Sequence, residues 1–439
     1  MSESIGSSGP GMKLHTKILL GLTVGLMAGI ATNLTVGVDN PRVEWINTYI
    51  AGPVGQVFLR MLFMVVMPLV FASITLGVAG LGDIRKVGRV GGKAITYFFV
   101  TTCLAATLGL IVVNTMRPWE RVAPETRVAL MDRFAGDAST RVEAAATTAK
   151  FGPETFVNIV PRNPIDAAAK TDMLGVIFFG LMFGAALTLI AAEKAKPMIA
   201  WLEALSEVVI QIIHFAMMLA PYGVACLIFT VSSRFGIDLL VAVAAFVITV
   251  LIALGAHVGL TLFAILKFGI GIPPLLFLSR VKAALITAFS TSSSSATLPT
   301  ALDVSETQLG IPRQIAGFVL PIGSTMCMNG TAIFEGITVI FLAEIFNVDL
   351  TLTQMAIVMI MSVITAIGAA GVPGGSIPLL VGILTMFGVP GEAIAIVLGV
   401  DRILDMSRTT INVFSDLTAT AFVAKSEGVW SPKDVPAQS

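Results

Sequence analysis

The chain has 439 residues, 56% of them hydrophobic and only 12% charged, with a formal net charge of +0 and a mean hydropathy of +0.91. A soluble domain carries roughly 25% charged residues, so this composition excludes an ordinary soluble protein and points to a polytopic membrane protein. The neutral balance and the three histidines argue against a nucleic-acid partner, and Cys103, Cys226 and Cys327 have neither metal-ligand nor disulfide spacing.

Residues 1–12 are rich in Ser and Gly and read as a disordered N-terminal segment without a cleavable signal. Lys13, His15 and Lys17 precede a first apolar span at about 18–36, and a polar loop with Asp39, Arg42 and Glu44 follows. A second span runs over about 49–81, with a kink expected at Pro68. The basic connection Asp83 to Lys93 leads into a third span at about 93–116. By the positive-inside rule this connection and the N-terminus face the cytoplasm.

Residues 117–153 form one long hydrophilic insert, extracytoplasmic by span count, to which no chemistry is assigned. A broken apolar segment from Glu154 to Ala192 contains Val160-Pro161-Arg162-Asn163-Pro164, and Glu193, Lys194 and Lys196 mark a cytoplasmic return. Two long spans follow at about 198–232, with Pro221, and 237–268. His214 and His257 sit singly among apolar residues and read as buried, hydrogen-bonded side chains.

The remaining third changes character. Two apolar halves of some 12–15 residues flank Ser290-Thr291-Ser292-Ser293-Ser294-Ser295. Each is shorter than the roughly 20 residues a bilayer requires, so the segment reads as a re-entrant hairpin. A long span at about 310–345 is interrupted at Met326-Cys327-Met328-Asn329-Gly330-Thr331. The pattern then repeats: two short arms over 352–388 surround Gly371-Val372-Pro373-Gly374-Gly375-Ser376, and a final span covers 391–424. A hairpin plus a polar-interrupted helix, twice, is the signature of an inverted repeat around a midplane site.

The final span carries the most informative residues. At about 100° per residue, Asp401, Asp405, Arg408, Asn412 and Asp416 share one stripe, with Thr409 at its edge and Leu404, Ile411, Phe414 and Leu417 opposite. Charges at membrane depth face a bundle interior or a water-filled cavity and mark function. Two convergent re-entrant tips suit an occluded site better than the lined pore of an anion channel. A transporter-like sensor is a further alternative; a hydrolase is disfavoured by the lack of a Ser–His or metal constellation.

These motifs resemble those of the glutamate transporter family, the dicarboxylate/amino acid:cation symporters. Ser292-Ser293-Ser294-Ser295-Ala296-Thr297-Leu298-Pro299 is similar to its first hairpin tip, Met328-Asn329-Gly330-Thr331 to its seventh-helix motif, and Gly371-Val372-Pro373-Gly374 to its second tip. Asp405-Met406-Ser407-Arg408-Thr409-Thr410-Ile411-Asn412-Val413 resembles its eighth-helix signature. Arg60, the Met67–Ser73 run and Ile159–Pro164 extend the likeness to nearly the whole chain. The resemblance implies an all-α membrane protein of eight transmembrane helices and two re-entrant hairpins with inverted repeats, assembled as a homotrimer in the cell membrane, with both termini cytoplasmic. It implies a static scaffold (13–92 and 154–236) and an elevator-like transport domain (93–116 and 237–426), leaving the 117–153 insert and a cytoplasmic tail at 427–439.

It also implies roles. Arg408 would hold a side-chain carboxylate as a bidentate fork, Asp405 the α-ammonium, and Thr409 and Asn412 the carboxylate and backbone groups. Ser293 and Ser294 would meet the α-carboxylate, Thr331 would add a hydroxyl, and Val372 and Ser376 would make main-chain contacts. Ser376 stands where sodium-coupled relatives often carry glycine. Keeping both Asp405 and Arg408 favours L-aspartate or L-glutamate over plain dicarboxylates or neutral amino acids.

The implied cargo includes a co-transported ion and no bound cofactor. One sodium site of sodium-coupled members would use Thr101, Thr102 and the residues at 327 and 329. Here Cys327 and Asn329 replace an asparagine and an aspartate, which degrades that site, because a hard cation needs oxygen ligands. Asp416, with main-chain carbonyls of Gly323, Cys327 and Asn412, keeps a second candidate cation site. Glu335, four residues after Thr331, matches the glutamate of proton-coupled members and is the expected proton carrier. The expectation is proton-coupled, largely sodium-independent uptake, with sodium coupling by fewer ions as the alternative.

Overall fold

The computed structural model describes residues 14–37, 40–87, 89–128, 130–131, 160–170, 173–369 and 374–435, and among these residues the regular structure is helical throughout. Among the described residues, seven stretches are long and apolar enough to cross a membrane: Thr16–Val36, Pro41–Leu76, Arg89–Arg121, Ala192–Arg234, Leu240–Ile270, Pro274–Thr291 and Arg313–Ile345. The C-terminal helix is too charged to qualify, although it is 32 residues long and lies at the centre of the molecule.

The first helix, α1 (Leu14–Val36), packs along the long helix described below, with Gly21 against the Pro221 carbonyl and Gly25 against that of Ala225. The second span is not one helix. Helix α2 (Pro41–Ile46), capped by the Asn40 side chain, passes through a π-turn (Asn47–Ala51) into α3 (Gly52–Phe63), and a turn at Met64 and Val65 separates α3 from α4 (Val66–Val87). Arg42 and Glu44, expected in a loop, therefore lie in α2. The break falls one turn before Pro68 because a proline's ring clashes with the carbonyl four residues back, here that of Met64. Helix α5 (Arg89–Met116) follows, and Pro118–Arg121 form a single 3₁₀ turn. Trp119, Val122 and Leu130 are buried in the core, so the start of the hydrophilic insert folds back onto the bundle. Residues 132–159 lie outside the described residues.

After α6 (Pro164–Ala169) and α7 (Met173–Leu189), helical hydrogen bonding runs from Ala192 to Ala256 (α8) and continues as π-helix through His257–Leu262 and Ile265–Ile270. The two spans expected on either side of residues 233–236 thus share one uninterrupted helical backbone, which keeps Pro197 and Pro221 inside it. His257 is fully buried, as expected, whereas His214 is exposed on the surface of α8.

The first re-entrant hairpin comprises α9 (Pro274–Thr291) and α10 (Ser294–Thr307). Its first arm, at 18 residues, exceeds the expected 12–15 because the helix continues through Ser290 and Thr291. Ser292 then takes the left-handed conformation (φ 51°), and Ser293 caps α10 by accepting the Ala296 amide at 3.1 Å. Helices α11 (Arg313–Met326) and α12 (Asn329–Ile345) are one span broken at Cys327 and Met328, as the sequence indicates, and 94% of its most apolar window is buried. Helix α13 (Leu352–Gly368) opens with a capping box formed by Thr351 and Gln354; it pairs with α14 (Ile377–Met386) as the second hairpin.

Helix α15 (Ala395–Ser426) packs against α8 to α12. Its C-terminal end is clamped: Glu427 bridges Arg89 (2.8 Å) and Lys93 (2.6 Å), and the Lys425 ammonium donates to the Gly269 carbonyl. Beyond it, the buried Trp430 indole donates to the Leu309 carbonyl at the foot of the first hairpin, at 2.7 Å.

Candidate functional site

Helix α15 turns its polar stripe inward. Asp401, Asp405, Arg408, Thr409, Asn412 and Asp416 are all buried, and Arg408 is only 1% exposed. Burying ions is costly unless they are paired, and the stripe resolves this in two layers.

The first layer surrounds Arg408. Its Nη2 donates to Asp401 Oδ1 at 2.9 Å and to Asp405 Oδ1 at 3.0 Å, and its Nη1 to Ser376 Oγ at 3.3 Å. One face of the guanidinium lies on the Phe334 ring, 3.8 Å from its centroid. Such a contact favours a delocalised cation whose in-plane donors stay available. Nε is buried without a partner, so the fork has donor capacity to spare. Arg402 stands 3.8 Å from the second Asp405 oxygen, and the Gly374 backbone amide also bonds to Asp405. The second hairpin therefore touches both ions of the pair, through Gly374 and Ser376. Ser376 makes a side-chain contact here, which a glycine would not supply. Val372 lies outside the described residues.

Asn412 ties this layer to the broken span. Its Oδ1 accepts the Gly330 amide at 2.8 Å, meeting one of the unsatisfied donors at the start of α12. Its amide nitrogen donates to Thr331 Oγ1 at 3.3 Å and to Met328 Sδ at 3.1 Å. A Cβ at Gly330 would stand 2.6 Å from the Arg408 carbonyl oxygen, so only glycine lets α12 approach α15 this closely. Both arms of the first hairpin pack on α15, with Ser293 and Ser294 buried at the start of α10. The serine run is less free than its composition suggests: Ser292 ends one helix and Ser293 caps the next.

The second layer is built around Asn329 and Asp416. The Asn329 carbonyl oxygen accepts from Thr102 Oγ1 at 2.7 Å and lies 3.9 Å from Cys327 Sγ. Its amide nitrogen donates to Ser415 Oγ at 3.0 Å and lies 3.2 Å from His257 Nε2. Thr101 turns its hydroxyl back to the Tyr97 and Phe98 carbonyls. Residues 101, 102, 327 and 329 thus converge, but as donors already engaged, with an amide and a thiol where a hard cation needs oxygens. Asp416 is different: its Oδ1 has no partner, Cys327 hydrogen-bonds to the carboxylate, and a Cβ on Gly323 would stand 2.6 Å from it. Gly323, Cys327 and Asp416 are therefore neighbours, and this carboxylate alone suits a small cation. Among the described residues no group of three or more His, Cys, Asp or Glu is placed to hold a metal ion.

Glu335 lies on the α12 face toward α13, within electrostatic range of Arg408. It is fully buried; Oε2 accepts from Thr365 Oγ1 at 2.6 Å, while Oε1 and the nearby helix's Ser362 Oγ have no partner. Four contributions were not assigned from sequence: Asp401 as the second partner of Arg408, Phe334 beneath the guanidinium, His257 against Asn329, and Thr365 on Glu335. Asp401 lay on the polar stripe; the other three depend on packing between helices remote in sequence.

A profile described as "Sodium:dicarboxylate symporter family" matches residues 14–426. The chain is 34% identical over 419 residues to the proton/sodium-glutamate symport protein of Geobacillus stearothermophilus, covering 95% of each chain. It is 32% identical over 419 residues to the proton/glutamate-aspartate symporter of Escherichia coli (strain K12), covering 94% of this chain and 93% of that one. It is 34% identical over 412 residues to the C4-dicarboxylate transport protein of Bacillus subtilis (strain 168), covering 94% of both. An all-helical bundle with membrane-length apolar helices, a buried charged stripe and these matches along its length place the chain in the sodium:dicarboxylate symporter family, whose members are membrane transporters and not enzymes.

Proposed function

We propose that this chain is a secondary active symporter for an acidic amino acid, L-aspartate or L-glutamate, driven by protons and largely independent of sodium. The observation that carries the substrate class is the paired Asp405 and Arg408 between the second hairpin and α12. An acidic amino acid brings two carboxylates and an ammonium. Its side-chain carboxylate would take the in-plane donors of Arg408, releasing Asp405 to receive the ammonium. Thr409 and Thr331 would bind polar backbone groups, and the α10 N-terminus with Ser293 and Ser294 would receive the α-carboxylate, where helix amides favour an anion. Asn412 already holds Gly330 and Thr331, so its part is to fix that wall. The relatives named for glutamate and for glutamate and aspartate support this reading. A C4-dicarboxylate has no ammonium for Asp405.

Proton coupling rests on Glu335, a fully buried carboxyl with one unpartnered oxygen, and on the engaged donors around Asn329. Asp416 supports the second reading, a single sodium ion held with carbonyls of Gly323, Cys327 and Asn412. Alternating access would be elevator-like: 93–116 and 237–426 move against a scaffold of 13–92 and 154–236 in a membrane-embedded homotrimer, with both termini cytoplasmic and the second hairpin as the outer gate. The test is uptake of labelled aspartate and glutamate into proteoliposomes, under a pH gradient without sodium and under a sodium gradient at equal pH. Accumulation under the first condition supports proton coupling; a strict sodium requirement overturns it, and leak without accumulation would indicate a channel.

A further inference from the structure

The exposed side of α5 carries a feature that the transport site does not use. A groove of about 690 Å³ runs along one stripe of α5, from Arg89, Gly92 and Lys93 at one end to Leu104 at the other, with Ile265 and Phe422 forming the opposite wall. Fifteen residues of helix span about 22 Å, close to the roughly 20–22 Å of one bilayer leaflet with its headgroups. Leu104 is 48% exposed, and a Cβ on Gly92 would meet nothing within 4 Å, so the groove is open along its floor.

Charge is confined to one end. Arg89 and Lys93 share the single carboxylate of Glu427, leaving one positive charge in surplus. Glu427 engages Nε and Nη2 of Arg89, so Nη1 keeps its hydrogens for another anion, and the Arg89 side chain is 74% exposed. Lys93 also donates to the Ser426 carbonyl, which fixes its ammonium at the mouth.

We propose that this groove binds one anionic phospholipid, its acyl chain along α5 between Ile265 and Phe422 and its phosphate at Arg89 and Lys93. The apolar length fits a hydrocarbon chain, and the surplus cation sits where a headgroup phosphate would lie. Tyr97 and Thr101 also line this groove, and Thr101 neighbours Cys327. The lipid thus lies one side chain from the second polar layer and stiffens α5 beside it.

The test is native mass spectrometry of the delipidated full chain in detergent, titrated with phosphatidylglycerol, phosphatidylcholine or glycerol phosphate. One phosphatidylglycerol should bind in preference to phosphatidylcholine, and glycerol phosphate should not bind. Arg89→Gln should weaken the phosphatidylglycerol adduct about fivefold. Gly92→Phe, which fills the floor, should remove the adduct while leaving the melting temperature of the lipid-free protein unchanged. Equal binding of the two lipids, binding of glycerol phosphate alone, occupation of the groove by a second copy of the chain, or an undiminished adduct in Gly92→Phe would overturn the proposal.

Discussion

Two polar layers lie within four helical turns of α15, and they solve the burial of charge in opposite ways. Around Arg408 the ions neutralise one another: Asp401 and Asp405 flank the guanidinium, Arg402 stands beside Asp405, Phe334 covers the guanidinium face, and donor capacity remains. Around Asn329 the polar groups are neutral and hydrogen-bonded to one another, and the one carboxylate, Asp416, has an oxygen with no partner. A balanced layer with spare donors can exchange an internal partner for a zwitterion at little electrostatic cost. A neutral layer whose donors are already paired offers a cation little beyond the Asp416 carboxylate.

Substitutions at each layer test that contrast. The largest effect is expected from Arg408→Cys in the first layer, which should lose aspartate and glutamate by up to about 10⁴-fold while gaining serine or alanine; isothermal titration with each amino acid measures it, and near-normal acidic affinity would break the comparison. Glu335→Gln should abolish accumulation driven by a pH gradient while leaving substrate exchange. Uptake of the variant that still follows the pH gradient would remove Glu335 from coupling.

In the second layer, Asn329→Asp would take away the donors to Ser415 and His257 and add an uncompensated charge. It should destabilise the protein by about 3 kcal/mol in sodium-free buffer, read as a lower melting temperature that sodium chloride partly restores and choline chloride does not. An unchanged melting temperature would show that the network around residue 329 is not interlocked.

Gly374→Ala returns to the first layer. Gly374 has φ +76°, and a Cβ there would stand 3.3 Å from Met217 Sδ. A cost of about 1 kcal/mol is expected for a left-handed alanine, enough to slow substrate exchange several-fold; unaltered kinetics would remove this tip from gating. The smallest effect belongs to Glu427→Gln, far from both layers. Hydrogen bonds from Arg89, then Lys93, hold the Glu427 carboxyl down at about 2, below its usual 4.5. Its contribution to stability is complete above the unfolded value and is lost as pH falls through about 2. The variant should therefore show a shallower acid limb in thermal unfolding followed across that window.

Much of this arrangement was legible in the sequence. The 3.6-residue spacing of Asp401, Asp405, Arg408, Asn412 and Asp416 placed them on one stripe, and the Cys327–Met328 break and the first hairpin's serine tip fell where the motifs indicated, although the first arm is longer than expected. Short-range patterns carry those features. What was not legible depends on distance in sequence or on hydrogen-bond bookkeeping. Phe334 reaches Arg408, and His257 reaches Asn329, only because separate helices cross there. The sequence places a kink of the second span, about 49–81, at Pro68, yet a proline exerts its steric effect one turn upstream, so the break appears before the residue that causes it. The helical continuity from Ala192 to Ala256 was missed because polar residues at 232–238 resemble a loop, while their neighbours keep the backbone ladder intact.

The pinning of Trp430 has an optical consequence. Trp45 and Trp201 are more than half exposed, whereas Trp430 is 3% exposed and its indole is hydrogen-bonded to Leu309 at the base of the first hairpin. Indole emission shifts to longer wavelength with solvent contact, so the chain carries a fluorophore at the foot of its serine-tipped arm. In a Trp45→Phe, Trp119→Phe, Trp201→Phe background, which leaves Trp430 as the one indole, a red shift on adding substrate would time the release of that foot without any label attached to the protein.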